Sequence, residues 1–548
     1  MKVVIVGGVA GGATAAARIR RLNETARILV FERSGHVSYA NCGLPYYIGG
    51  VIEQESALSL QTPESFWKRF RVEMKTRHEV TAIHPDQKTV SVRRLEDGME
   101  FEESYDKLLL SPGARPVRPP VPGLDSRRLF TLRTVEDTTR IHRFIQEKKP
   151  RSAVLAGGGF ISLELAENLK HLGMDVTIVQ MDDQLLLPLD KEMASFLHTR
   201  IRQAGIRLLL GHAVTGFSDT ETGIEVQIQD SPSIEADMAV LAIGVAPDTG
   251  LARKAGLKLG AKGSIAVNDH METSIPSIYA VGDAVEIHHG VTGAKTLLSL
   301  AGPANKQGRI AADNICGRES RYRGAFGSSV LKVFDLTAAS TGLNERAAKA
   351  AGISCDKVYL SPASHASYYP GGEPMAMKVL FEPETGRLLG AQIVGRDGVD
   401  KRIDVLASAL FAGLSGDDLA DLDLAYAPPY SSAKDPVNMA GYMIENLRSG
   451  LLKQFFWEEA DAAGQKKDAV LLDVRTGEEY ERSHIPGARN IPLDQLRDRL
   501  GELDPALPVY AVCQSGLRSY LACRILSQHG YECFNLSGGF RLYESASS

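Results

Sequence analysis

Short β-branched runs alternate with glycine-rich turns and helical segments along the chain. Residues 3–6 form an unbroken apolar run, the pattern of a strand buried on both faces of a parallel sheet. Gly7-Gly8-Val9-Ala10-Gly11-Gly12-Ala13 follows, leading into an alanine-rich helix, and a second run over 28–31 ends at Glu32. The rhythm returns at 152–156, a predicted strand ahead of Gly157-Gly158-Gly159-Phe160-Ile161-Ser162. A helix is then expected over 163–172 and a strand over 176–179, ending at Gln180. Later, 375–381 and 388–394 read as strands, 403–410 as a helix, and 470–475 as a strand running into a turn. A last strand over 509–512 ends at Cys513 and leads through a short loop into a helix. Strands alternating with helices predict an α/β protein.

The two glycine turns carry the first chemical signal. A strand, a glycine turn and a helix N-terminus together present N–H groups to a pyrophosphate. In the first turn Gly7 and Gly12 fit a G-x-G-x-x-G pattern, while Val9 stands at the middle glycine position. Glu32 is the acid expected about 20 residues on, against a ribose hydroxyl. In the second, Gly157 and Gly159 fit, Ser162 is small, and Gln180 replaces the acid. Glutamine still bonds a ribose hydroxyl, and Asp182 and Asp183 repel a 2′-phosphate, which favours NADH over NADPH. Two such turns imply one flavin, FAD, and one nicotinamide nucleotide.

A chain of 548 residues should hold three or four domains. A net charge of −5 argues against a general nucleic-acid binder. The opening apolar run is too short for a signal peptide, and no stretch of about 18 apolar residues predicts a membrane span. A cytosolic protein is expected. The six cysteines, at 42, 316, 355, 513, 523 and 533, do not form a disulfide framework. Cys42, in Ser38-Tyr39-Ala40-Asn41-Cys42-Gly43-Leu44-Pro45-Tyr46, has no second thiol close in sequence. If redox-active, it must react with a sulfur that arrives, such as a small disulfide, a persulfide or a peroxide. Cys513 ends a strand ahead of a glycine loop, where N–H groups stabilise a thiolate or a persulfide.

Gly11-Gly12-Ala13-Thr14, the run from Asn41 to Tyr46, and Tyr426-Ala427-Pro428-Pro429-Tyr430 make residues 1–447 resemble the pyridine nucleotide-disulfide oxidoreductases. The likeness is to their single-cysteine branch, which contains coenzyme A-disulfide reductases; Val9 and Gln180 depart from the pattern. The Gly-Asp pair of the segment 273–284 adds to it. The resemblance implies that Gly7, Gly8, Ala10, Gly11, Gly12, Glu32, Arg33, Ser38, Asn41, Val80, Ser111, Gly113, Arg133, Gly282, Asp283 and Ala301 hold FAD. It implies NAD(P)H at Gly157, Gly159, Phe160, Ile161, Glu164, Gln180 and Gly244. Coenzyme A would meet Thr14, Arg18, Arg21, Ser38, Asn41, Asn305 and Lys434. Lys68, Arg69 and Arg71 form a further basic cluster with no ligand assigned.

The same likeness makes Cys42 cycle between thiolate and mixed disulfide, with Ser38 and Asn41 as hydrogen-bond donors to it or to the substrate. It implies an obligate homodimer in which Tyr368 and Tyr426 serve the partner's cysteine, a phenol protonating a departing thiolate. Residues 455–548 resemble a rhodanese, with Cys513 catalytic in the loop Gln514, Ser515, Gly516, Leu517 and Arg518. A phosphatase loop places five residues between Cys and Arg; here there are four, and the smaller loop suits sulfur. Cys523 and Cys533 read as structural, and no metal is expected.

The expected organisation is an FAD domain (1–148 and 246–322), an NAD(P)H domain (149–245), an α+β dimerisation domain (323–447), a linker over 448–454 and an α/β rhodanese domain (455–548). The activity this implies is NADH-dependent reduction of persulfides, polysulfides and coenzyme A disulfide. A coenzyme A-disulfide reductase with an accessory rhodanese, an NADH oxidase or peroxidase, and a flavin-dependent redox sensor remain as rivals.

Overall fold

The computed structural model describes residues 1–547 and divides into two compact units. The first comprises Met1–Asp182 and Gly205–Gly327; the second comprises Asp183–Ala204 and the chain from Ser328 on.

In the first unit, five parallel strands stand in the order Ile278–Ala280, Lys107–Leu110, Lys2–Val6, Arg27–Glu32, Glu73–Thr76. Val3, Val4 and Ile5 are wholly buried, as a β-branched run in the middle of a parallel sheet should be. The turn after Val6 delivers the chain into the helix Ala10–Leu22. A second parallel sheet repeats the plan, ordered Arg207–Leu210, Asp175–Gln180, Ser152–Ala156, Met238–Leu241, Leu129–Phe130. The helix after its turn is Phe160–His171, starting earlier than the expected 163. Gly159 already serves as the N-cap, so the turn is complete and Phe160 and Ile161 are free to begin the helix.

In the second unit, an antiparallel sheet runs Ser329–Val333, Leu336–Gly342, Leu388–Gly395, Ala376–Phe381, Asp356–Leu360. The helices Val399–Ala412 and Pro436–Arg448 accompany it; the first outruns the expected 403–410 at both ends. Wholly buried Lys378 on this sheet donates to Asp190 and Glu192, each at 2.6 Å, and to Glu345. Asp190 and Glu192 come from the 183–204 segment, so one buried cation ties it to the sheet.

A parallel sheet ends the chain, ordered Gln454–Phe455, Cys533–Leu536, Val509–Val512, Val470–Asp473, Arg489–Asn490. The expected linker is shorter than 448–454. Arg448 is still helical and Gln454 already pairs with Asn535. All six cysteines are free; buried Cys533 donates to the Cys523 carbonyl at 3.1 Å inside an apolar core. Among the described residues, no helix is long and apolar enough to cross a membrane.

Candidate active site

The first turn is built by close approach. Gly7 has φ +98°, and a Cβ there would lie 2.1 Å from the Ser111 carbonyl oxygen; one on Gly12 would lie 1.9 Å from the Gly7 oxygen. Val9 has φ −104°, so the backbone at the middle position does not demand glycine. Glu32 ends its strand as expected, and its carboxylate accepts from Gly8 N at 2.8 Å and Ser34 N at 2.9 Å. Burial pushes its carboxyl up, against the pull of those two bonds. Each oxygen retains a lone pair for a ribose hydroxyl.

The other residues expected to hold FAD gather in the same unit. Gly282 (φ +83°) donates to Gln307 Oε1 at 2.7 Å, and Asp283 accepts from Arg133, beside Gly113 (φ +71°). Ala301 opens the helix Ala301–Ile315, which carries Gln307. Arg33 pairs with Asp248 at 3.0 Å, and Val80 is buried in the strand His78–His84. Gln307, a buried polar side chain on an amphipathic helix, was not among the sequence candidates. A turn too tight for side chains, beside polar groups from three segments, fits a dinucleotide.

Ser38 holds a left-handed backbone (φ +46°), with its N–H on the Gly8 oxygen at 2.8 Å and its carbonyl accepting from Leu60 N at 3.0 Å. This corner carries the chain from the turn to Asn41 and Cys42, in the single 3₁₀ turn Asn41–Gly43. The Cys42 side chain is exposed. Burial on its protein side pushes the thiol up and the Glu164 carboxylate adds to this, while Arg133 pulls down. The net shift of the thiol is upward. Burial raises Glu164 itself to about 7, and Tyr46 donates to it at 3.3 Å.

Of the residues expected to meet coenzyme A, Thr14 and Asn305 are joined by a hydrogen bond of 2.7 Å. Arg18 Nε is taken by Asp313 at 2.8 Å, so only Arg21, exposed one turn on, presents an unengaged guanidinium of the two. Lys434 lies in the second unit.

The second turn mirrors the first. Gly157 N bonds the Val179 oxygen at 2.8 Å, as Gly7 N bonds that of Phe31 at 2.9 Å. Gly157 has φ +113° and Gly244 φ +125°, and the space beyond Gly159 is open. Phe160, Ile161 and Glu164 lie in the helix that follows. Gln180 Nε2 donates to Asp182 at 2.7 Å, which leaves Oε1 to accept from a ribose. Asp183 is paired with Lys191 at 2.6 Å, a cation overlooked in the sequence, so Asp182 carries the repulsion expected of both.

In the second unit Tyr368 and Tyr426 come from separate loops, and their hydroxyls meet at 2.6 Å. Cys513 is buried at the foot of its loop. Gly516 N and Ser519 Oγ donate to its sulfur at 3.1 and 3.2 Å. Gly516 holds φ +94°, and a Cβ on Gly539 would strike the Cys513 oxygen and the N–H groups of Ser515 and Gly516, each at 2.7 Å. Arg475, forked on Asp473, donates to Gln514 at 3.3 Å; Arg518 pairs with Glu479 through two bonds of 2.7 Å, and Leu517 is exposed. Ser519 and Arg475 completed a loop that sequence spacing had only outlined.

Two dinucleotide turns and an exposed thiol in one unit define a two-nucleotide oxidoreductase. The chain belongs to the pyridine nucleotide-disulphide oxidoreductases, whose family model matches residues 1–308, with the family's dimerisation domain at 328–436 and a rhodanese-like domain at 456–546. It is 37% identical over 442 residues to the coenzyme A disulfide reductase of Staphylococcus aureus (strain bovine RF122 / ET3-1), covering 80% of this chain and 99% of that one. The reduced CoADR-RHD of Bacillus anthracis is 46% identical, with a TM-score of 0.97 over 100% of this chain and 98% of that one. A NAD-dependent persulfide reductase from A. fulgidus is 39% identical, with a TM-score of 0.93 over 99% and 100%.

Proposed function

We propose that the protein is an FAD-dependent reductase that uses NADH to reduce persulfides, polysulfides and coenzyme A disulfide at Cys42, with Cys513 relaying sulfane sulfur to it. The pairing of an exposed lone thiol with a second thiol in an N–H cradle carries this reading. The coenzyme A disulfide reductase and persulfide reductase relatives support it.

Gly7, Gly11 and Gly12 would admit the FAD pyrophosphate, with Glu32 at the ribose; Gly157, Gly159 and Gln180 would do the same for NADH. Bound FAD supplies the two-electron chemistry by which NADH reduces a disulfide. The chain's own part begins with the Cys42 thiolate attacking an S–S bond. A new bond forms to Cys42, and the departing sulfur takes its proton from a phenol of the Tyr368–Tyr426 pair of the partner subunit. Two electrons then cleave the mixed disulfide and regenerate the thiolate. At Cys513, Gly516 N–H and Ser519 Oγ hold the negative sulfur of a persulfide.

We read the chain as a cytoplasmic homodimer of FAD, NADH, dimerisation and rhodanese domains, with the limits given above. Turnover of NADH with coenzyme A persulfide, coenzyme A disulfide, peroxide and oxygen tests the assignment. Faster turnover with peroxide or oxygen than with either sulfur compound would replace it with an oxidase or peroxidase.

A further inference from the structure

The two phenols of the proposed reaction stand on separate loops, 361–375 and 422–435, and both are largely exposed, at 74% and 46%. A hydrogen bond between exposed hydroxyls contributes little net stability, because water competes for both groups. Their 2.6 Å approach therefore has to be set by what anchors the loops. We infer that Arg402, with Asp435 and Ser431, is the positioning node that holds Tyr368 and Tyr426 together.

Arg402 lies on the helix Val399–Ala412 and is 1% exposed. Its Nη2 donates to the Ser364 carbonyl at 2.9 Å, in the loop of Tyr368. The same nitrogen reaches Ser431 Oγ and Asp435 Oδ2, each at 3.1 Å, and the Tyr430 carbonyl at 3.4 Å, in the loop of Tyr426. Nη1 bonds the Gly398 carbonyl at 3.2 Å. Gly398 has φ +70°, and a Cβ there would lie 2.1 Å from Nη1, so the guanidinium needs glycine at that place.

Ser431 Oγ donates to Asp435 at 2.6 Å, and Ala366 N bonds the Ser431 carbonyl at 2.9 Å, which ties the loops directly. Asp435 also caps the helix Pro436–Arg448 by accepting from Val437 N at 3.0 Å. Burial pushes its carboxyl up, but Ser431, Val437 N and Arg402 together hold it below the usual range, so it stays charged opposite Arg402. Half-buried Lys401 adds a weaker contact at 3.6 Å. Nη2 alone spans the two loops while Nη1 holds the Gly398 carbonyl, so a lysine, with one nitrogen, would not keep both sets of contacts.

The inference rests on the phenol role proposed above, and its test separates the two. Ser431→Ala is the mild variant and Arg402→Lys the strong one, with thermal melting as the check on folding. In holoenzyme, Ser431→Ala should lower turnover of coenzyme A disulfide about tenfold, within the range a misplacement of about 1 Å produces. Reduction of FAD by NADH should be unchanged. Added to a Tyr368→Phe/Tyr426→Phe background, Ser431→Ala should cost less than about twofold, because no phenol remains to be placed. In protein labelled with 3-fluorotyrosine, the ¹⁹F resonances of residues 368 and 426, assigned from the single Phe variants, should both shift in Ser431→Ala. Equal losses from Ser431→Ala in both backgrounds, or unshifted resonances, overturn the positioning role. Parental turnover in the Tyr368→Phe/Tyr426→Phe protein overturns the phenol role itself, and the node with it.

Discussion

Cys42 and Cys513 are built on opposite principles. Cys42 sits on a one-turn segment at an exposed corner, its thiol pushed up by burial and by Glu164. Cys513 is buried, and the loop and helix that follow it supply a backbone N–H and a hydroxyl within 3.2 Å of the sulfur. One thiol waits for groups that come from elsewhere: substrate, nucleotides and, on our reading, the partner's phenols. The other has its sulfur-holding groups on the loop and helix directly after it. The contrast suits a division of labour in which Cys513 holds a persulfide and Cys42 turns it over.

The most severe test of that division is Cys42→Ser. Turnover of every sulfur substrate should fall by at least about a thousandfold, while FAD stays bound and its reduction by NADH keeps the parent rate. Hydride transfer to a flavin needs no thiol, but passing electrons to sulfur does. Stopped-flow reduction and steady-state turnover on one preparation measure both. Near-parent turnover of persulfide would remove Cys42 from the reaction.

Cys513→Ser should divide the substrates. Donors relayed through the rhodanese loop should lose turnover, in part for small persulfides that also reach Cys42 directly. Coenzyme A disulfide should be unaffected. Adding the separate C-terminal domain at low concentration should restore little, since tethering supplies an effective concentration that free mixing lacks. Parent-like rates with every sulfane-sulfur donor would make the rhodanese accessory and favour the coenzyme A-disulfide reductase alternative.

A smaller effect concerns the second nucleotide turn. With Asp183 paired to Lys191, the bias against a 2′-phosphate falls mainly to Asp182, held by Gln180 at 2.7 Å. One half-buried like charge near the surface contributes about 1 kcal/mol, roughly a fivefold preference in kcat/KM for NADH. Asp182→Ala should erase most of it. A preference for NADPH in the parent protein would reverse this account of the turn.

The chain's strands were legible where β-branched runs end at glycine or cysteine: 152–156 and 509–512 match the structure at both ends. Helix starts were less so, because Phe160 and Ile161 look like turn residues until Gly159 is seen to cap the helix. Val9 departs from the glycine pattern, and only its backbone angle shows that the conformation there does not demand glycine. The candidate reactive residues were readable from local motifs. Their modifiers were not: Glu164 beside Cys42, Gln307 on Gly282 and Arg402 beneath the tyrosine loops all act across long stretches of chain. No spacing rule encodes such contacts. The raised thiol of Cys42 is the clearest case: its motif shows an isolated cysteine, and the folded surroundings oppose its ionisation.

The last prediction follows from that opposition and is the gentlest. A thiol held above its usual range yields less thiolate at neutral pH, and its reactivity rises as pH climbs through the raised value. Burial is the larger cause and the Glu164 carboxylate the second, so Glu164→Gln should lower the pH at which Cys42 becomes reactive without returning it to the range of an exposed cysteine. Glu164 titrates near 7, so its repulsion is absent below that pH and present above it. The parent and the variant should therefore converge in iodoacetamide alkylation rate toward pH 6 and separate by a few-fold toward pH 8, the variant being faster. Tyr46→Phe removes the hydrogen bond that steadies the Glu164 anion, so it should move the onset of the repulsion to higher pH. Coincident profiles for parent and Glu164→Gln would mean that burial alone sets the Cys42 thiol.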